Sequence, residues 1–406
     1  MTRQYKDSGI EWIGQIPMDW KMQPLAIYFA ENSKSNSDLG SVNALQFKYG
    51  EIIQKPTNGK ELTDKDRELL EKYTVVSPDD IVVNGLNLNY DLKSLRIAKV
   101  REDGIITSAY IVLRPRNGAN ASFYNYYLKA LDFQKIFHGM GVGIRLTLSY
   151  DELRSMLLAV PSFEEQQRIA NYLDKKCAEI DSLIELQEQM IAQLTDYKMS
   201  VITEAVTKGM NNENRLVPSE IDWIEEIPEG WMVCRIKDLV NLQSGTNLTT
   251  MEISDNGTYP VYGGNGLRGY YEEYSNDGEY ILIGRQGALC GNINYASGKF
   301  WATEHAVVCY PKREFAKKWL GELLRTMNLG QYSLSAAQPG LSVERIKNLK
   351  MPLPSLSEQK IIASYLDSKC SEIDNLIAVK QQKIETLKEY KKSLIFECVT
   401  GKKEIN

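Results

Sequence analysis

The sequence is poor in the side chains that most chemistry needs. Only two histidines occur in 406 residues, His138 and His305, far apart in sequence, which argues against a His-rich metal site. Six cysteines are scattered with no C-x-x-C pair. Neither a disulfide framework nor a zinc ribbon is therefore expected, and a reducing compartment is the default. No apolar run approaches the roughly 18 residues that a membrane span needs. The opening MTRQYKDSGIEW has no apolar core, so no secretory leader is expected there and the expected location is cytoplasmic. There is no G-x-x-x-x-G-K-[ST] phosphate loop, and no Asn-Pro-Pro-aromatic or Asp-Pro-Pro-Tyr tetrapeptide of the amino-methyltransferase kind. A net charge of −5 excludes a general polyanion binder as a whole molecule. What remains is 43% hydrophobic and 25% charged, a folded composition, and long enough for two or three domains at roughly 150 residues each.

Against these absences stands an internal repeat. Pro161–Thr207 and Pro354–Thr400 align without gaps at an offset of 193 and share 26 identities in 47 positions. A second block, Ile10–Trp20, recurs as Ile221–Trp231, where Ile10, Trp12, Ile13, Ile16, Pro17 and Trp20 all find their counterparts. The inner segments, 21–160 and 232–353, look mostly unrelated. Two faint echoes survive: Thr107-x-Ala-x-x-Val-x-x-Pro115 beside Thr303-x-His-x-x-Val-x-x-Pro311, and Pro78–Val83 beside Gly278–Ile283. Each half reads as hook, variable body and shared helix. Two equal frames with different inserts imply one mechanical job done twice with two specificities.

The shared blocks predict long helices. Each opens with a capping box, Ser162-x-x-Glu165 and Ser355-x-x-Glu358, directly after a proline. A heptad seam follows: Leu173, Cys177, Ile180, Ile184, Gln187, Ile191, Leu194, Lys198, Val201, and in the second copy Leu366, Cys370, Ile373, Ile377, Lys380, Ile384, Leu387, Lys391, Leu394. Gly209 and Gly401 end the helices. Such seams also serve as the core of a bundle. Polar seam positions favour a more exposed, register-fixing pair, and two homologous helices in one chain would pair antiparallel. The Trp12/Trp20 and Trp223/Trp231 hooks read as packing elements that bring residues 1–20 near 390–406. Glu165, Gln166, Tyr172 and Glu358, Gln359, Tyr365 could face partner subunits, the core or solvent.

The inserts predict mixed α/β structure, with short helices over Ser122–Phe137 and Lys312–Met327 and loop-rich stretches at 84–90, 262–270 and 284–287. Their charge is locally basic: 10 basic against 5 acidic residues in 93–154, and 10 against 4 in 285–353. Two modestly basic inserts on an acidic frame suit two separate contacts with nucleic acid, and ordinary solvated faces are the alternative reading of the same charge. Gly139-Met-Gly-Val-Gly143 reads as a turn rather than a cofactor cradle. Pro78-Asp79-Asp80 lacks the acidic-x-Lys that would make it a nuclease motif. His305 beside Glu304 could be a catalytic pair, though a base-contacting or packing histidine is the better reading. Arg and Lys suit guanine, and Asn and Gln suit adenine. On that basis the DNA-contact candidates are Lys48, Tyr49, Asn87, Asn89, Tyr90, Lys93, Arg96 and Arg145 in the first insert, and Asn265, Arg268, Tyr270, Arg285, Gln286, His305 and Gln338 in the second.

The duplicated W-I-x-x-I-P-x-x-W hook, the P-S-x-x-E-Q-x-x-I-A-x-Y-L-D helix and its heptad tail resemble the DNA-specificity subunit of type I restriction–modification systems. The resemblance covers essentially the whole chain. It implies two globular α/β target-recognition domains in tandem, separated by two long antiparallel coiled-coil helices, with pseudo-two-fold internal symmetry. It places the first recognition domain at 1–160, the first long helix at 161–213, the second domain at 214–353 and the second long helix at 354–406. It further implies a non-catalytic subunit bound to double-stranded DNA, with each domain reading one half of a bipartite asymmetric target. The implied partners are two modification (methyltransferase) subunits and two restriction/translocase subunits. S-adenosylmethionine, ATP and magnesium are then expected on the partners, with no cofactor or metal on this chain and no membrane. An enzyme with its own methyltransferase or nuclease, or a coiled-coil scaffold binding only protein, are the competing readings.

Overall fold

A run such as Ile81-Val82-Val83 presents side chains to both faces of a sheet, so it is stable only where both faces are covered. The computed structural model, which describes residues 3–56, 63–90, 93, 95–143, 146–211, 213, 215–287, 289–333 and 340–405, puts it in such a place. Ile81–Val83 is an inner strand of an antiparallel sheet ordered Phe29–Glu31, Ile111–Pro115, Ile81–Val83, Ile97–Lys99. Ile81, Val83, Ile111 and Leu113 turn to one face and pack with Phe123, Tyr124, Tyr127 and Leu131 of the helix Ala121–Phe133. Val82 and Val112 turn to the other, against Leu45, Val76 and Ile106.

The chain forms two compact units, Met1–Leu186 with Lys383–Asn406, and Gln187–Gln382. The second repeats the plan of the first. Its sheet runs Val240–Ser244, Ala306–Pro311, Tyr280–Gly284, Ile293–Ala296, again antiparallel throughout. Ile281, Ile283, Val307 and Cys309 face Trp319, Leu320, Leu323 and Leu324 of the helix Lys317–Thr326. Leu282 and Val308 face Phe300 and Ala302. The inner segments are therefore related in fold, although their sequences hide it, because many apolar residues satisfy the same burial pattern. They diverge in the layer over the far face. In the first unit that layer is the hairpin Leu45–Lys48/Glu51–Gln54 and the pair Thr74–Val76/Gly104–Ile106. In the second it is a mixed sheet in which Tyr259–Gly263 pairs parallel to Lys299–Ala302.

Two long helices, Phe163–Lys208 and Leu356–Val399, each contribute to both units. In the first unit Leu173, Cys177 and Ile180 share a core with Leu394, Ile395, Cys398 and Val399, so the start of one helix lies against the end of the other. Lys391 pairs there with Asp181 at 2.7 Å. In the second unit Val201, Ile202, Ala205 and Val206 share a core with Ile362, Leu366 and Cys370, and Lys198 pairs with Asp374 at 2.6 Å. The packing is antiparallel in each. Lys198 and Lys391, polar breaks in the seam, are thus the equivalent halves of two equivalent ion pairs. Both pairs are solvent-facing and contribute to register more than to stability, about 0–1 kcal/mol each. Ile373 and Ile384 are buried, while Ile184, Ile191, Leu194, Ile377 and Leu387 are half-buried along the same stripe.

The capping boxes close only halfway. Ser162 Oγ accepts the Glu165 N–H at 3.2 Å, and Ser355 Oγ accepts that of Glu358 at 3.3 Å. The glutamates do not reach back. Glu165 Oε2 accepts the indole N–H of Trp20 at 3.0 Å, and Glu358 Oε2 accepts that of Trp231 at 3.0 Å. Arg3 adds an ion pair to Glu165 at 2.8 Å. Gln166 and Gln359 are also buried, each accepting the backbone N–H that opens the insert helix, from Asn120 at 2.9 Å and Ala316 at 3.1 Å. Glu165, Gln166 and Gln359 are therefore buried bonds within the frame, and the half-buried Glu358 makes the same kind of bond.

The hook locks the far end of the chain as well. Gly401 has φ +72°, and a Cβ there would stand 2.5 Å from the Pro17 ring. Its carbonyl accepts from Tyr5 Oη at 3.3 Å. Two helix boundaries differ from the sequence reading. The first insert helix ends at Phe133, because Lys135 turns left-handed at φ 59° before a short 3-10 turn over Ile136–Gly139. The second starts at Lys317, because the strand runs to Pro311 and Lys312 gives its N–H to Leu239 before the chain bends into the helix.

Candidate nucleic-acid interface

In the first unit, Lys48 and Tyr49 form the tip of the hairpin Leu45–Lys48/Glu51–Gln54. Tyr49 is left-handed at φ 51° and 79% exposed, with Lys48 Nζ 5.7 Å from its ring centre. The tip rests on Leu95, which a Cβ at Gly50 would approach to 2.8 Å. Asn87, Asn89 and Tyr90 project from the loop after Ile81–Val83, and Lys93 is exposed beyond them. That loop is pinned beneath by the fully buried Leu88, whose N–H reaches Leu146 O at 3.2 Å, and by Leu148 donating to Gly85 O at 2.9 Å. The Gly139–Gly143 stretch is part of the same packing: a Cβ at Gly141 would meet Leu88 and the Leu146 backbone.

Arg96 does not belong with these contacts. It is 1% exposed, and its guanidinium donates to the carbonyls of Asn84 at 3.1 Å and Leu86 at 2.8 Å. Its backbone N–H binds Asp132 Oδ2 at 2.7 Å. Burial pushes the Asp132 carboxyl up, partly countered by that bond. Arg96 shapes the loop from inside, because a buried charge must spend its donors on neighbours. Arg145 lies outside the described residues. Asp80, from the acidic Pro78-Asp79-Asp80, is likewise interior, held bidentate by Arg114 at 2.9 and 2.6 Å.

In the second unit three loops meet backbone to backbone. A Cβ at Gly284 would stand 2.1 Å from Gly264 O, and one at Gly264 would stand 2.9 Å from Gln286 O and 3.2 Å from His305 O. Only glycine permits that approach. Asn265, Arg268, Arg285, Gln286 and His305 are gathered around this junction. Arg285 is tethered on three sides: its N–H to His305 O, its carbonyl to the Leu341 N–H, and Nη1 to Ser244 Oγ at 3.2 Å. His305 Nε2 lies 2.9 Å from Glu304 Oε1. Tyr270 is not part of the junction. It is half-buried further along its strand, with both backbone groups bonded to Ser254. Gln338 lies outside the described residues.

Sequence reasoning missed Asn294 and Thr303. Asn294 Nδ2, Thr303 Oγ1, Glu304 Oε2 and His305 Nδ1 are buried without a hydrogen-bond partner among the described residues. Four buried polar atoms thus stand unpaired around one glycine junction. The Asn292-x-Asn294 pair after the glycine loop was the available signal. Burial pushes the thiols of Cys309 and Cys398 up to about 12, so neither offers a thiolate nucleophile at neutral pH. Among the described residues no helix is long and apolar enough to cross a membrane.

The comparisons agree with this geometry. The family model of the type I restriction modification DNA specificity domain matches residues 97–196 and 228–389. The type I restriction enzyme EcoprrI specificity subunit of Escherichia coli is 43% identical over 134 residues, 32% of this chain and 33% of that protein. The MjaVIII specificity subunit of Methanocaldococcus jannaschii is 24% identical over 368 residues, 82% of this chain and 83% of that protein. Among solved structures, a chain from work on complex assembly and conformational transition of the type I R-M system superposes with a TM-score of 0.73 at 15% identity, covering 95% of this chain and 98% of that one. The HsdS subunit of Thermoanaerobacter tengcongensis gives 0.53 at 16% identity over the same shares. At these identities the structures show the fold alone. With the family model matching well over half of the residues, and doing so in both halves of a duplicated frame, the chain belongs to the type I restriction modification DNA specificity family.

Proposed function

We propose that this chain reads a bipartite, asymmetric duplex target, one half-site per unit, and has no catalysis of its own. The observation that carries the reading is the contrast between the repeated frame and the divergent loop layer. Both units use the same sheet, insert helix and hook. They present different side chains: Lys48, Tyr49, Asn87, Asn89, Tyr90 and Lys93 in the first, Asn265, Arg268, Arg285, Gln286 and His305 in the second. Different surfaces on equal frames read different words, so the target is not a palindrome. The helix pair sets the spacer between the words. Phe163–Lys208 has 46 residues, a rod of about 69 Å at 1.5 Å per residue.

In this reading the chain works in the cytoplasm, within a complex of two modification and two restriction subunits. The modification subunits hold S-adenosylmethionine and methylate adenine, which must leave the base stack to be reached. The restriction subunits supply ATP- and magnesium-dependent translocation and cleavage. The test is selection of bound duplexes from a random library by the assembled complex. Two fixed words with a constant gap support the reading, and a single word or none overturns it. Inserting four residues after Ile184 should change the gap and leave both words intact. Changed words with an unchanged gap would sink the ruler. Gln286→Ala should weaken binding by about 1–3 kcal/mol and relax discrimination only in the second word.

A further inference from the structure

The two insert helices align through their first turns. Asn120 and Ala316 make the same backbone bond to Gln166 and Gln359, so residue n of the first corresponds to n + 196 of the second. Buried positions then coincide: Phe123 with Trp319, Tyr127 with Leu323, Leu131 with Met327. Three partly buried positions do not match in chemistry. Ser122, Tyr126 and Lys129 stand where the second unit has Lys318, Glu322 and Arg325. The neighbouring strands align the same way, since Lys99 pairs with Ile81 as Tyr295 pairs with Ile281.

In the second unit these residues form a closed system around one carboxylate. Glu322 is 4% exposed and accepts from Arg325 Nε at 3.0 Å and Tyr295 Oη at 3.1 Å, with Lys318 Nζ at 3.5 Å. In the first unit that carboxylate is missing. Tyr126 takes its position and donates to Asp174 at 2.8 Å. The space becomes a cleft of about 360 Å³ whose lining includes Lys99, Arg101, Asn125, Tyr126 and Lys129 together with Glu51 and Asp174. Lys99 is held by Ser122 at 2.7 Å and Asp79 at 3.3 Å. Among the described residues neither Arg101 nor Lys129 forms an ion pair. Asn125 is 9% exposed and its Oδ1 has no partner. Burial, and behind it the charge of Lys391, holds the Lys129 ammonium below the usual lysine range, partly countered by Glu51. A half-buried cation without an ion-pair partner is stabilised by an added anion.

We propose that this cleft in the first unit binds a phosphate-class anion, seated on Lys99, Arg101 and Lys129 where the second unit carries the Glu322 carboxylate. The inference stands on the first unit alone and does not rest on base reading. A phosphodiester of duplex DNA and a free phosphate present the same chemistry. The cleft lies behind the hairpin tip that carries Lys48 and Tyr49, since Gly50 and Glu51 form part of its wall.

The test is calorimetric titration of sodium pyrophosphate into the full chain at constant ionic strength, without DNA. Saturable binding at one site is expected. Lys129→Gln should weaken it about tenfold, the loss of one charged hydrogen bond, while Lys176→Gln on the exposed helix face should leave it unchanged. Because Lys129 is an unpaired cation, Lys129→Gln should melt at or above the wild-type temperature in the absence of ligand, which separates lost binding from lost folding. If Lys129→Gln also weakens duplex binding and lowers its salt slope by about one, the natural anion is a DNA phosphate. If duplex binding is untouched while pyrophosphate binding falls, it is a free anion. No saturable heat, or equal affinity in wild type and Lys129→Gln, overturns the proposal.

Discussion

Trp20→Ala should destabilise the first unit by about 3–5 kcal/mol, the range for removing a fully buried large aromatic. Trp20 is 0% exposed, edge-on to Phe123 at 6.3 Å, with the Arg3 guanidinium 5.7 Å from its ring. Its loss leaves a cavity and strips the buried Glu165 of its indole donor. It also removes the surface against which Gly401 closes. Trp231→Ala is the internal control. That residue makes the same bond to Glu358 but is only half-buried, so its loss should cost markedly less. Hydrogen exchange along Phe163–Leu186 and Gln187–Lys208 during urea titration reads the two units separately. Equal destabilisation by the two substitutions would show that the hook acts through its hydrogen bond and not through burial.

Gly284→Ala should abolish reading by the second unit while the first continues to read. The new methyl would stand 2.1 Å from the Gly264 carbonyl, and backbone cannot yield as a flexible side chain can. The loops bearing Asn265, Arg285, Gln286 and His305 would be forced apart together. Each good base contact is worth about 1–3 kcal/mol, so losing several at once should cost at least about 100-fold in affinity for the intact target. Competition between duplexes altered in one word or the other measures it. The variant should no longer distinguish changes in the second word and should still reject changes in the first. Retained discrimination in both words would place recognition away from the glycine junction.

The repeat made the frame legible before any coordinates. Heptad spacing located both long helices, and paired tryptophans marked the hooks. What stayed hidden is instructive. The shared sheet and insert helix showed only as two faint echoes and two short predicted helices, because Phe123 and Trp319, or Val82 and Leu282, meet the same burial need with different residues. Glu165 fits a capping box by spacing, yet tertiary structure supplied a better partner in Trp20, 145 residues away. Arg96 read as a surface cation because sequence carries no sign of burial, and the carbonyls it binds come from a loop with no pattern of its own. Tyr270 shared a glycine-rich stretch with Asn265 and Arg268, but its strand carries it out of the junction. Asn294 and Thr303 sit in ordinary-looking strand ends, and only the folded backbone shows their polar atoms left open.

The central claim is that each insert reads its own half of one target. Single-molecule methylation mapping tests it most directly, using DNA from cells that co-express this chain with its modification subunit. The account predicts two short methylated-adenine words at a fixed gap. When residues 232–353 are exchanged for the insert of a relative, the second word should change, and the first word and the gap should stay. Words that change together, or a properly assembled complex that methylates nothing, would contradict it.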